Sequence, residues 1–409
     1  MEEYKTYTLE EISKGKGTYG IAASAVEYDP ALHTYLRITD INDDGTLNKS
    51  GLMSVDEDNA NDYLLKPNDI VFARTGNSTG RAYFYDGSDG ELVFAGFLIK
   101  FSLDSKKVNP RIIKYYTHSK PYYDWVQSFD TGGTRGNINA KTYGNMPIVL
   151  PSRSTQDKIV EILKFIDDKI DVNKQINDNL EQQAQALFKS WFVDYEPFKD
   201  VEFEESELGL IPSGWTVDKL GEVCSCILGG TPSRNNPEYW NGNIAWINSG
   251  EVNRFRITKP SENITEEGLR HSATKLLPKK TTVLAITGAT LGQVSLLEID
   301  SCANQSVIGV LENKKFPYSF IYPLIKERIK DLMSHMTGGA QQHINKNNVE
   351  ELSIIHPPQK IMESFKNIIT PLYEKIGFLC LESNRLELIR DMLLPKLMSG
   401  EVVLEDVIV

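Results

Sequence analysis

Cysteine, histidine and long apolar runs are all scarce in this chain of 409 residues, and each shortage closes off a class of function. The cysteines are Cys224, Cys226, Cys302 and Cys380, too few and too scattered for a disulfide framework. Cys224-x-Cys226 has no second pair at zinc-ligand spacing. The six histidines fall in no HExxH or HxxH arrangement, so no metal site is expected and the thiols read as structural. No run reaches 18 apolar residues, which excludes an ordinary transmembrane helix. The start, Met1-Glu2-Glu3-Tyr4-Lys5, lacks the basic-then-apolar order of a secretory signal. A cytoplasmic location is the expectation.

Positive charge is also short. The net charge of −12 argues against a general polyanion binder, but the deficit is uneven. Residues 1–151 carry −4, 152–212 carry −7, 213–357 carry +1 and 358–409 carry −2. An acidic frame therefore leaves room for local basic loops. Catalytic motifs are missing too. A DNA adenine methyltransferase needs Asn/Asp-Pro-Pro-aromatic, and Asn236-Pro237-Glu238-Tyr239 puts a glutamate where proline is required. Gly15-Lys16-Gly17-Thr18 does not complete a phosphate-binding loop, because the glycine needed five positions earlier is Glu10. No helicase or nuclease core is present, so no enzymatic activity and no cofactor are expected in this chain.

What is present is an internal repeat. Thr131-Gly132-Gly133, Asn137-Ile138-Asn139 and Pro147–Pro151 match Thr337-Gly338-Gly339, His343-Ile344-Asn345 and Ser353–Pro357 at an offset of 206. Val71-Phe72-Ala73-Arg74-Thr75-Gly76, closing at Gly80, matches Val283–Gly288, closing at Gly292. Leu9-x-Glu11-Ile12 matches Leu220-x-Glu222-Val223. Three blocks in one order indicate a duplicated unit. Short apolar runs bounded by Gly, Asn, Asp and Pro make each unit β-rich.

Each unit then passes into a long helical pattern. Ile159, Ile166, Asn173, Leu180 and Leu187 fall seven apart, with Ile162 and Ile176 expected to fill the seam. Phe365, Leu372, Leu379, Leu386 and Leu393 repeat this, joined by Ile368 and Ile389. Such heptads predict paired helices, with Asn173 as a register-fixing polar residue. Pro371 marks a kink or a late start in the second. A helix over 156–190 would span about 50 Å, more than the roughly 34 Å of one DNA turn. The fold class is α+β: two pseudo-repeated, mixed, β-rich domains separated by two long antiparallel coiled-coil helices. The expected boundaries are a domain over 1–151, a spacer helix over 152–196, an acidic Pro-bounded linker over 197–211, a domain over 212–357 and a second spacer helix over 358–409. Phe188, Trp191, Phe192 and Tyr195 either close the helix on a domain or form a partner-docking patch.

Base edges are read by Arg, Lys, Asn and Gln, and phosphates by hydroxyls and basic groups. The polar loops of the first half offer Lys16, Thr18, Arg74, Thr75, Asn77, Ser78, Arg81, Arg135, Asn137 and Lys141 as DNA-binding candidates. Those of the second offer Thr231, Ser233, Arg234, Asn235, Tyr239, Thr287, Thr290, Gln293, Gln341, Gln342, His343, Asn345 and Lys346. The loops differ between halves while the frame repeats, which predicts two different half-sites.

The stretch Leu187-Phe188-Lys189-Ser190-Trp191-Phe192-Val193-Asp194-Tyr195-Glu196-Pro197-Phe198 resembles the central conserved region of type I restriction–modification specificity subunits. Ile211-Pro212-Ser213-Gly214-Trp215 is similar to the entry of their second target recognition domain, and Gly229–Ser233 with Asn236–Gly242 to its opening loops. Leu393–Val402 is similar to their distal conserved region. The first half departs, lacking Pro-x-Gly-Trp and reducing Gly-Gly-Thr-Pro to Lys16-Gly17-Thr18. The resemblance implies a non-catalytic reader of an asymmetric, two-part double-stranded DNA site. It also implies two modification subunits that bind S-adenosylmethionine and methylate adenine N6, and restriction subunits that use ATP and Mg. Rival readings are a protein-interaction scaffold indifferent to DNA sequence and a self-sufficient methyltransferase.

Overall fold

The computed structural model of the chain describes residues 4–130, 136–334 and 343–401. They divide into two compact units, 1–168 with 387–409, and 169–386.

The first unit contains β1 (Lys5–Thr8), β2 (Thr18–Tyr19), β3 (His33–Leu36), β4 (Met53–Val55), β5 (Asp69–Ala73), β6 (Ala82–Tyr85), β7 (Leu92–Phe94) and β8 (Leu98–Ser102). Helices α1 (Pro110–Tyr116), α2 (Lys120–Gln127) and α3 (Ala140–Gly144), strand β9 (Pro147–Leu150) and the start of α4 (Arg153–Phe192) follow. The strands form an antiparallel sheet of order β2-β8-β5-β6, a three-stranded sheet β4-β3-β7 and the pair β1-β9. In the three-stranded sheet β3 runs antiparallel to β4 and parallel to β7. The uninterrupted apolar run of β5 has its explanation in the burial of both faces of its sheet. Side chains alternate along a strand, and Ile70 and Phe72 enter one core while Val71 and Ala73 enter another.

The second unit repeats this plan. It holds the rest of α4, then β10 (Phe203–Ser206), β11 (Gly209–Pro212), β12 (Thr216–Lys219), α5 (Leu220–Val223), β13 (Ser225–Leu228), β14 (Trp240–Ile247), β15 (Glu262–Ile264) and α6 (Glu266–Arg270). Strands β16 (Thr282–Ala285), β17 (Val294–Leu296), β18 (Cys302–Ala303) and β19 (Val307–Leu311) lead to α7 (Tyr318–Ser334), α8 (Lys346–Glu350), β20 (Ser353–His356) and α9 (Gln359–Ser399). The sheets are β13-β19-β16-β17, β15-β14-β18 and β12-β20, with the same strand directions as in the first unit. Leu284 and Val283 again face different cores. The hairpin β10-β11 has no counterpart among the described residues of the first unit, and occupies most of the acidic stretch whose composition suggested a bare linker.

The helices α4 and α9 run 40 and 41 residues, about 60 Å each. Within each unit their segments pair antiparallel. Asp167 accepts a hydrogen bond from Arg390 at 3.0 Å, and Ile159 and Leu163 share a core with Leu394 and Leu397 in the first. In the second, Asn173 donates to Glu382 at 2.7 Å, Asn177 faces Cys380, and Phe188 and Phe192 pack on Phe365. Of the expected heptad positions, Ile159, Ile166, Asn173, Phe365 and Leu379 are buried, and Leu180, Leu187, Leu372, Leu386 and Leu393 are half-buried. The companions differ from expectation. Ile176, Ile368 and Ile389 are exposed and Ile162 is only half-buried, while Leu163, Ile170, Asn177, Ala184 and Ile369 line the seam. A seven-residue repeat sets the direction of a stripe but leaves open which flanking neighbour, three or four positions on, is covered. Helix α9 starts at Gln359, so of the two readings of Pro371, a kink or a late start, the late start does not hold.

Candidate nucleic-acid interface

The first unit gathers its polar candidates through backbone geometry. After β5 the chain turns through Gly76 at φ +70° and returns at Gly80 at φ +88°, conformations in which a side chain is strained. The Ile138 amide donates to the Arg74 carbonyl at 3.0 Å, bringing the 136–141 segment against this turn. Tyr19 of β2 accepts from the Ala140 amide at 3.1 Å and lies under the Arg74 guanidinium, 5.1 Å from ring centre to Cζ. Lys16, Thr18, Asn77, Asn137 and Lys141 are exposed, Thr75 is half-buried and Ser78 is buried. The backbone contacts thus join the 74–78 turn, β2 and the 136–141 segment in one place. Arg81 is committed elsewhere, to Asp43 at 2.7 Å and the Ile41 carbonyl. Arg135 lies outside the described residues.

The second unit holds the same scaffold with other side chains. Gly288 and Gly292 take φ +74° and +82°, and the Ile344 amide donates to the Ile286 carbonyl at 3.0 Å. Asn345 caps α8 by accepting from Asn348, as Asn139 caps α3 by accepting from Thr142. Thr287 and Thr290 are half-buried, and Gln293 and His343 are exposed. Lys346 pairs with Glu350 at 3.0 Å. Thr231 donates to Gln305, beside Ser306, whose carbonyl accepts from Ile286. Gln341 and Gln342 lie outside the described residues. Arg234 is held by a two-point pair with Glu262 and stacks 3.6 Å over Trp240. Tyr239 stacks on His271, while Ser233 and Asn235 are exposed.

Sequence reasoning passed over Tyr19, Gln305 and Glu262. The tyrosine was legible as the neighbour of Thr18, but the other two become neighbours of their partners only through folding.

Polar clusters fasten each unit to its helical segments. Glu181 of α4 is buried and accepts from Arg256 at 2.8 Å, Lys326 at 2.8 Å and Tyr322 at 3.2 Å. Burial alone would raise its pKa, but Arg256 and Lys326 outweigh that and hold it at about 2. Asp167 plays the corresponding part in the first unit with Lys114, Tyr115 and Arg390.

The aromatic quartet takes the first of its two expected roles. Phe188 and Phe192 are buried against Phe320 and Phe365, with Trp191 and Tyr195 half-buried beside them. Phe188 and Phe192 are thus taken up by the core, while Trp191 and Tyr195 keep part of their surface. Cys224 and Cys226 are buried thiols whose pKa burial pushes up to about 12. Among the described residues no group of His, Cys, Asp or Glu is arranged to hold a metal, and no helix is long and apolar enough to cross a membrane.

The family model described as "Type I restriction modification DNA specificity domain" matches residues 1–182 and 212–387, one copy per repeat. A type I restriction enzyme HindI specificity subunit from Haemophilus influenzae is 25% identical over an alignment of 475 positions, covering 98% of this chain and all of that one. A type I restriction enzyme MjaIX specificity subunit from Methanocaldococcus jannaschii is 29% identical, covering 71% and 69%. In fold the chain is similar to the crystal structure of a type I restriction–modification S subunit from M. genitalium, with TM-score 0.58, 15% identity and coverage of 97% and 96%.

Proposed function

Because this chain belongs to the type I restriction–modification DNA specificity family, matched over both of its repeats, we propose that it is the specificity subunit of a type I restriction–modification complex. It is a non-catalytic DNA reader. Each repeat reads one half of an interrupted, asymmetric site, and α4 and α9 set the interval between the halves. Adenine-N6 methylation belongs to two modification subunits carrying S-adenosylmethionine. Cleavage belongs to restriction subunits using ATP and Mg, and the assembly works in the cytoplasm.

The observation that carries this reading is the pair of matching polar turns, Arg74–Gly80 and Ile286–Gly292, built on one backbone plan with different side chains. One frame with two chemistries is what an asymmetric site requires. The test is to purify the chain with its modification subunits and map the adenines the assembly methylates in genomic DNA. A single two-part motif with a fixed interval is expected. Methylation with no sequence preference would leave the scaffold reading, and methylation by the chain alone would make it an enzyme.

A further inference from the structure

Resting on the reading just given, we propose that Arg74 reads a guanine in the half-site of the first domain, and that the second domain has no equivalent contact. Among the described residues every arginine except Arg74 and Arg385 is ion-paired with a carboxylate, as Arg81 is with Asp43 and Arg234 with Glu262. Arg385 is exposed on α9, far along the chain from the polar turns. Arg74 opens the first of those turns. Its guanidinium lies over the Tyr19 ring, and its Nε is buried without a hydrogen-bond partner. The ring is itself fixed, since its hydroxyl accepts from the Ala140 amide. The result is a planar cation with its orientation set from one side and, among the described residues, no carboxylate paired with it.

A flat fork of donors matches the O6 and N7 acceptors of guanine, whereas a phosphate accepts a cation from many directions. Strand register identifies the counterparts in the second unit. Tyr19 pairs with Ile99 on β8 and Leu228 with Ile308 on β19. Arg74 follows Ala73 at the end of β5 as Ile286 follows Ala285 at the end of β16. The arginine–tyrosine stack is therefore replaced by isoleucine and leucine.

The experiment uses the full chain assembled with its modification subunits, comparing methylated motifs for the wild type, R74A, R74K and Y19L. Wild type is expected to require a G·C pair at one position of the first half-site. Discrimination there should fall about ten- to a hundredfold in R74A and R74K, with the second half-site unchanged. Y19L should show a smaller loss at the same position. Lysine keeps the charge but not the fork, so R74K separates the two kinds of contact. If R74K keeps the wild-type motif and R74A loses affinity equally on all sequences, with a shallower salt dependence, Arg74 holds a phosphate and the inference is overturned. A wild-type assembly with no two-part motif would instead overturn the functional reading beneath it.

Discussion

The side chain of Glu181 shows how much a single carboxylate can carry. It is buried, surrounded by Arg256, Lys326 and Tyr322, and its removal leaves the fully buried Arg256 uncompensated. Glu181→Gln should cost about 3 kcal/mol in urea unfolding. The same pair dictates a pH response. The folded pKa is about 2 against an ordinary 4.5, so the unfolded chain takes up the proton first. The stabilisation is complete above about pH 5 and is lost as pH falls towards 2. Unfolding of E181Q should be flatter over that interval, and an unchanged acid slope would count against the cluster. His118 adds to acid sensitivity by the opposite route. Burial, then Arg390 and Lys114, lower its pKa to about 4, so the unfolded chain gains a proton that the folded one refuses below pH 6.5. At this scale the sequence was only partly legible. Turn glycines, Asn caps and the general polarity of the loops follow from local pattern. The capture of Arg234 by Glu262, of Arg81 by Asp43 and of Glu181 by Arg256 does not, because each partner is distant along the chain.

Helices α4 and α9 give a sharper test of packing. Leu163 is fully buried while Ile176 is 37% exposed. Leu163→Ala should therefore cost about 3 kcal/mol through lost contact and cavity formation, and Ile176→Ala less than about 0.5 kcal/mol. Equal losses in urea unfolding would mean the seam is wrongly phased. Asn173 is a different case. It lies fully buried, donates to Glu382, and leaves its own Oδ1 without a partner. Asn173→Leu is expected to raise stability by about 1 kcal/mol, with the melting temperature as readout, while weakening the preference for one register. Heptad spacing made both helices readable, as β-rich periodicity did the sheets. It did not reveal the i+4 companions. Nor did an acidic, Pro-bounded composition reveal hairpin β10-β11, whose backbone pairing owes nothing to charge.

The whole molecule is a duplicated reader, and its predictions concern halves. Replacing residues 212–357 with the matching segment of a relative should change one half of the methylated motif and leave the other intact, as read from a methylation map. Inserting seven residues in α4 and seven opposite them in α9 adds about 10 Å, or about three base pairs of interval at 3.4 Å each. An unchanged interval would refute the ruler while sparing DNA reading.

One feature of the first unit also bears on how the chain is made. Its core contains Leu394 and Leu397, from the end of α9. During synthesis the strands of the first unit emerge well before Leu394 and Leu397, so its apolar interior cannot be sealed until residues 169–386 have been made. The second unit draws on Ala184, Phe188 and Phe192, made before its strands, and on Met362, Phe365, Ile369, Tyr373 and Ile376 of α9, all made before Leu394. The repeat translated second is thus able to close first, and a chain released short of Leu394 would carry an open, sticky floor beneath its opening domain.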